Sequence, residues 1–265
     1  MADIIFGKSK NGDSDTMEDI ADRYLFHVYR HGQTASPSIL AWAKGRLHAH
    51  VILTRKDALE PKYHSSYGKE ALVKLMEIFG KKPVVKLQDD HTRVSSPWKG
   101  APFLYLSTEI GDFCSPVGRG DGRLPVPLFT LPLPHDTIDK IVLWRQVYLR
   151  LDGLWMASGA LEIASYREIA TPDSFNSKQG RDLCQQIEEV TGIPTFYYLM
   201  RHCGRKEGEE ERVCPGCGKA WKASEPESGE KFHAFHFKCD PCRLVSHVGK
   251  SADGIRLARI GEFHG

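Results

Sequence analysis

The chain has 265 residues, with 36 Lys and Arg against 34 Asp and Glu and a formal net charge of +2. That length suits one large domain, or a domain plus a small module, and the near-balance of charge excludes a global field that would draw the chain onto nucleic acid or a membrane. No window reaches the length of a membrane helix, and Met1-Ala-Asp-Ile-Ile-Phe-Gly-Lys8 lacks the apolar run of a secretory signal, so the expected location is the cytoplasm.

Taken in order, Lys8 to Asp19 is polar and reads as a loop. Tyr24-Leu-Phe-His-Val-Tyr-Arg30 reads as a short strand, although apolar runs of this length can also be helical. Arg30-His31-Gly32-Gln33-Thr34 follows. It is similar to the Arg-His-Gly signature of the histidine phosphatase superfamily, in which a strand-end His becomes phosphorylated. Ser95-Ser-Pro97 and Val245-Ser-His-Val248 echo later phrases of that family, but no arginine follows Ser-Ser-Pro at the expected place, with Lys99 near it, and His247 falls in the cysteine region. The plainer expectation is a strand ending at a glycine turn with an exposed His31. Arg46 to Thr54 alternates, placing Leu47, Ala49, Val51 and Leu53 on one face of a half-buried strand. His48 and His50 share the other face, either as a metal-chelating pair or as ordinary residues of a polar sheet face.

Ser66 to Phe79 has helical spacing, with Leu72, Leu75, Met76 and Phe79 in one stripe, and Gly80 ends it. Pro83 to Leu87 follows as a strand. Residues 95–134 are rich in proline and glycine and read as an ordered connection with short strands at Phe103–Leu106 and Leu128–Leu131. Gly118-Arg-Gly-Asp-Gly122 resembles a phosphate-cradling loop, but no helix follows, and it reads as a turn. Helices are predicted from near Asp136 through Trp155, over Ala160–Ala170 and over Ser177–Val190. Thr195 to Met200 is an aromatic strand. Strands first and helices later, without regular alternation, predict an α+β fold.

The C-terminal part carries the strongest chemical signal. Of seven cysteines, four form Cys214-Pro-Gly-Cys217 and Cys239-Asp-Pro-Cys242. Each C-x-x-C can bend into a knuckle that offers two thiolates to one ion, and four thiolates at tetrahedral angles suit Zn²⁺ with no open position. Two disulfides or a redox C-x-x-C are the alternatives. His233 and His236 precede the second pair and can replace a thiolate, but with four cysteines to hand they read as strand residues. Cys114, Cys184 and Cys203 are scattered singly, and Cys184 sits in the apolar stripe of a helix as an inert thiol. The expected organisation is an α+β domain over 1–200 that folds without the remainder, a charged hinge at 201–212, a zinc ribbon at 213–250 and a tail at 251–265.

Several phrases between about residues 95 and 247 resemble an uncharacterised bacterial family of unknown function. They are Ser95-Ser-Pro-Trp98, Cys114-Ser-Pro-Val117, Val126-Pro-Leu-Phe129, Ser177-Lys-Gln-Gly-Arg-Asp-Leu-Cys184, Glu188 to Leu199, and Lys238 to Ser246. The family is described as zinc-ribbon-containing, with a suggested nucleic-acid-binding role. Many of its members carry further cysteines where this chain has Gly118-Arg-Gly-Asp121, so the resemblance implies no second such site here.

In the cysteine region Lys219, Lys222, Lys231, Lys238, Arg243 and Lys250 are interleaved with Glu225, Glu227, Glu230 and Asp240. Such a mixed face fits a protein partner better than phosphate tracking. The expectation is therefore a non-catalytic zinc-binding factor for a protein partner, as an adaptor, an inhibitor or an immunity-type neutraliser. Trp98, Trp221, Phe232 and Arg243 are its candidate contacts. A nucleic-acid-binding protein is the alternative, and a histidine-phosphatase-like enzyme at Arg30-His31 is a remote third.

Overall fold

The computed structural model describes residues 1–8, 13–88, 95–111, 114–122, 124–223, 235–251 and 255–263. The described residues form an α+β structure with two sheets. The chain divides into two compact units, the first chiefly Met1–Pro97 and Pro125–Val142, the second chiefly Trp98–Asp112, Pro116–Leu124 and Leu143–Gly265.

The first unit is built on β1 (Ala2–Gly7), α1 (Ser14–Arg30), β2 (Ile39–Ala43), β3 (Arg46–Val51), α2 (Ser66–Phe79) and β4 (Val84–Leu87). The strands lie in the order β2-β3-β1-β4 with every neighbour antiparallel, a split β-α-β arrangement. Lys44 and Gly45, both at positive φ, make the two-residue turn between β2 and β3. Alternation fixes one covered face: Ala2, Ile4 and Phe6 of β1 and Leu47, Ala49 and Val51 of β3 are buried with α1 and α2 over them.

Tyr24 to Arg30 is not a strand but the end of α1. The helix starts much earlier, at Asp13, whose carboxylate accepts the Thr16 N–H at 2.8 Å. Met17, Ala21, Tyr24, Leu25 and Val28 then recur at helical spacing on the buried side. A reading confined to Tyr24–Arg30 sees only the last two turns of that stripe. Helix α2 runs over Ser66–Phe79 as its spacing predicts, with Gly80 left-handed at its end.

The second unit holds β5 (Leu104–Leu106), β6 (Val117–Arg119), β7 (Thr195–Tyr198), β8 (Phe237–Cys239) and β9 (Leu244–Ser246), in the order β6-β5-β7-β9-β8. β5–β7 and β7–β9 are parallel; β5–β6 and β8–β9 are antiparallel. The sheet thus runs through position 200: Tyr197 donates its N–H to the Arg243 carbonyl at 2.8 Å, and Leu199 to Val245 at 2.9 Å. The expected turn at 118–122 is strand β6 followed by a turn. Gly118 and Gly120 admit the Tyr105 and Phe103 rings of the β5 segment, which a Cβ would meet at 2.1 and 2.2 Å. Leu128–Thr130 is a single 3-10 turn rather than a strand; prolines on both sides, at 127 and 132, remove ladder donors.

Helix α3 (His135–Met156) gives its first turns to one unit and the rest to the other; α4 (Glu162–Ala170) and α5 (Phe175–Thr191) belong to the second. Among the described residues no helix is long and apolar enough to cross a membrane.

Candidate metal centre

The two C-x-x-C pairs fold into matching knuckles. In the first, Gly218 donates to the Cys214 carbonyl and Cys214 to the Lys219 carbonyl, both at 2.8 Å. In the second, which is the loop of the β8–β9 hairpin, Arg243 donates to the Asp240 carbonyl at 3.3 Å. The residue after the second cysteine is left-handed in both, Gly218 at φ +69° and Arg243 at φ +50°. Glycine takes that conformation without cost, whereas arginine is strained there. Gly216 lies so close to the second knuckle that a Cβ would meet the Cys242 sulfur at 3.0 Å.

The knuckles bring the Sγ atoms of Cys214, Cys217, Cys239 and Cys242 within 4.8 Å of one another. Cys217 and Cys239 sulfurs stand 3.7 Å apart. Four sulfurs at about 2.3 Å from one tetrahedral ion would be roughly 3.8 Å apart. The cluster can therefore hold a metal ion, with Cys214 and Cys239 buried and the other two half-buried. Backbone hydrogen bonding from Lys219, with the neighbouring thiols, lowers the Cys217 thiol to about 7. Burial raises Cys239 and takes Cys242 up to about 11. Four thiolates crowded together repel, and a bound cation is what would let all four ionise.

Trp221, expected at a partner surface, is buried beside the cluster. Its indole stacks on Phe237 at 5.0 Å, its Nε1 donates to the Arg212 carbonyl at 2.9 Å, and the Arg212 guanidinium lies over both rings at 4.6 and 4.2 Å. A ring enclosed in this way cannot stack on a partner. Arg212 also donates to Ser246 Oγ at 2.8 Å and to the His247 carbonyl at 3.1 Å. Glu209, which looked solvent-facing in a charged run, is buried between Arg212 and Arg201 and accepts two hydrogen bonds of 2.9 Å from Arg201. Sequence reasoning missed this network, because a run of glutamates ordinarily faces water; the flanking Arg201 and Arg212 were its only trace.

Arg243 is half-buried and clamps Glu188 through Nε at 3.0 Å and Nη2 at 2.7 Å. Trp98 is half-buried, with the Lys99 ammonium 5.4 Å from its ring. Phe232 and His233 lie outside the described residues. His236 faces His247, Nδ1 to Nδ1 at 3.4 Å, rather than the cysteines. His48 and His50 sit on the outer face of the first sheet around Asp3, at 3.3 and 3.9 Å. Burial raises the Cys184 thiol strongly, as befits an inert core group. Cys203 is buried and Cys114 half-buried.

The Arg-His-Gly stretch closes a helix, not a strand. His31 caps the C-terminus of α1, half-buried, and its Nδ1 lies 3.0 Å from Nδ1 of His135. Arg30 is held by the Asp139 carboxylate through two hydrogen bonds, so its guanidinium is already engaged.

Fold and site define an α+β chain with a four-cysteine cluster in its C-terminal part. Profiles of three domains of unknown function match successive stretches: DUF8589 over residues 1–89, DUF2310 over 99–200 and DUF8594 over 204–251. Two uncharacterized proteins of Haemophilus influenzae are each 42% identical over 138 residues, which is 51% of this chain and 66% and 51% of theirs. The chain thus spans less than two thirds of the length of the curated relatives it matches. It is similar to bacterial proteins whose function is not established. No solved structure matches.

Proposed function

We propose that the four cysteines hold one structural Zn²⁺ in a zinc ribbon, and that the chain is a non-catalytic binding factor for a protein partner, such as an adaptor, an inhibitor or an immunity-type neutraliser. The observation that carries this reading is the closed set of four cysteine sulfurs within 4.8 Å. With a thiolate at every corner, a tetrahedral ion keeps no position for water or substrate, which is the arrangement of a structural rather than a catalytic zinc.

The side chains around the cluster favour protein over nucleic acid. Lys222 pairs with Glu210 at 2.7 Å, Lys238 with Asp240 at 3.6 Å and Arg243 with Glu188 at 2.7 Å. Cations already matched to carboxylates neutralise few phosphates. Trp221 and Phe237, the natural base-stacking rings, are stacked on each other instead. The nucleic-acid alternative would rest on Trp98 beside Lys99.

Binding of mixed DNA and RNA to the purified chain across a salt series tests the choice. Weak binding that vanishes by physiological salt is expected. Tight binding that persists there and falls in Trp98→Ala would make nucleic acid the partner. Metal analysis of the same protein, made under reducing conditions, should return one zinc per chain, and none would remove the basis of the reading.

A further inference from the structure

We propose that His31 and His135 form a second, weaker metal site in the first unit, for a borderline divalent transition cation such as Ni²⁺, Cu²⁺ or Zn²⁺. Their Nδ1 atoms are 3.0 Å apart. Two imidazole nitrogens bound to one ion at about 2.0–2.1 Å stand roughly 2.9–3.4 Å apart when they subtend 90–109° at it. The pair therefore has the separation of two cis ligands, and small ring rotations bring both lone pairs onto one ion.

The backbone that carries the pair is fixed. His31 donates its N–H to the His27 carbonyl at 3.1 Å, Gly32 to Tyr29 at 2.8 Å and Gln33 to Val28 at 3.0 Å. Thr54 Oγ1 donates to the Gly32 carbonyl at 3.0 Å from another segment. His135 opens α3, and Arg30, the neighbour of His31, is bound to Asp139 one helical turn beyond His135. Two adjacent rungs thus join the end of α1 to the start of α3. A rigid pair loses little entropy when a ligand arrives.

The chemistry of the rings agrees. Burial, with His135 and His64 nearby, lowers His31 to about 4, so it stays neutral and able to donate a lone pair. At 3.0 Å one Nδ1 carries the proton that the other accepts; for both to bind metal as neutral rings, that proton moves to Nε2 of its own ring, so no net proton is released. Neutral imidazole suits nickel, copper and zinc. The Tyr67 ring lies 5.3 Å from that of His135. Asp139 is occupied by Arg30, and among the described residues only the cysteines form a cluster of three or more such ligands. Water must therefore complete the sphere, which makes the site open and exchangeable, unlike the closed cysteine cluster.

The test uses the full chain, tag-free and zinc-loaded, in equilibrium dialysis against NiCl₂. One equivalent of Ni²⁺ beyond the resident zinc is expected, with affinity at least tenfold weaker in His31→Ala and in His135→Ala, and unchanged in His236→Ala. Zinc content and circular dichroism check that the variants fold. Ni²⁺ should also broaden the ring resonances of His31 and His135 in the unaltered chain, a readout that needs no variant. Absence of the extra equivalent, its survival in His135→Ala, its loss in His236→Ala, or broadening confined to other histidines would each overturn the proposal.

Discussion

The two sheets hold themselves together by different means. In the first, six-residue strands β1 and β3 are covered on one face by helices of 17 and 14 residues, and the buried cluster is chiefly apolar, its Tyr24 hydroxyl meeting His64 Nε2 at 3.0 Å. Its edge strands β2 and β4 are largely exposed. In the second, the strands are only three or four residues long and buried almost throughout. Strands that short close few ladder bonds and bury little area each. The second unit adds the Arg201–Glu209–Arg212 network, with Glu262 3.7 Å from Arg201, and, on the proposal above, the ion that its cysteine cluster would hold. Apolar area alone gives a structure that tolerates the loss of one contact. Cross-links concentrate stability in a few residues, so their removal is felt across the sheet.

The largest effect should follow from opening the cysteine cluster. Structural zinc supplies on the order of 10 kcal/mol of apparent folding energy in small modules. If the cluster holds zinc as proposed, Cys239→Ser removes one ligand and should release the ion. The β8–β9 hairpin should come apart, and β7 should lose its partner β9. Metal analysis and the near-ultraviolet circular dichroism of Trp221 should report both losses, while helix α1 and the first sheet persist. A variant that kept its native aromatic signal without zinc would show that the cluster is not a structural tie.

Next comes the buried charge network. Glu209→Gln leaves Arg201 and Arg212 facing each other without their shared anion, a change expected to cost about 3–5 kcal/mol. The acid dependence follows from the same carboxyl. Burial pushes Glu209 up, but hydrogen bonds from Arg201 and from the Arg205 N–H outweigh it and hold the group below its ordinary value. A lowered folded-state value means stability that is complete above the unfolded value of about 4.3 and lost as pH falls through the folded one. Denaturant midpoints of the two proteins should therefore draw together as the pH falls below the unfolded value of about 4.3. Taking the difference cancels the acid loss of metal that both share.

In the first unit, Leu75→Ala should cost about 2–5 kcal/mol, since Leu75 is fully buried in α2. The zinc content should not change. That side chain was legible in the sequence, because the stripe Leu72, Leu75, Met76 and Phe79 repeats at helical spacing and α2 has the predicted bounds. The same holds for the buried face of β3 and for the four cysteines, whose spacing alone brings them together. What the sequence hid had no period. Strand β1 buries alternate residues, but Ile5 between buried Ile4 and Phe6 is apolar too, and β2 is exposed at nearly every position, so neither shows a clear alternation of residue types. Glu209 and Trp221 looked like surface residues because their burial depends on Arg212, a partner that local pattern does not announce. His135 meets His31 across 104 residues, a separation that no motif spans.

The smallest expected effect is at the start of α2. Ser65 is the N-cap, with extended backbone and its Oγ accepting the Gly68 N–H at 3.1 Å. That bond satisfies one of the donors a helix leaves unpaired at its first turn. Ser65→Ala removes the acceptor and should cost about 1 kcal/mol, against only a few tenths for Ser65→Gly. The ordering of the two variants matters more than either value. It separates loss of the cap from the conformational freedom that glycine adds. Because the bond is local to α2, the destabilisation should appear in thermal unfolding followed by far-ultraviolet circular dichroism, with the rate of zinc release unaltered. Faster zinc release in Ser65→Ala would mean that the two sheets do not melt independently, and the contrast between apolar area and cross-links would then describe one cooperative structure.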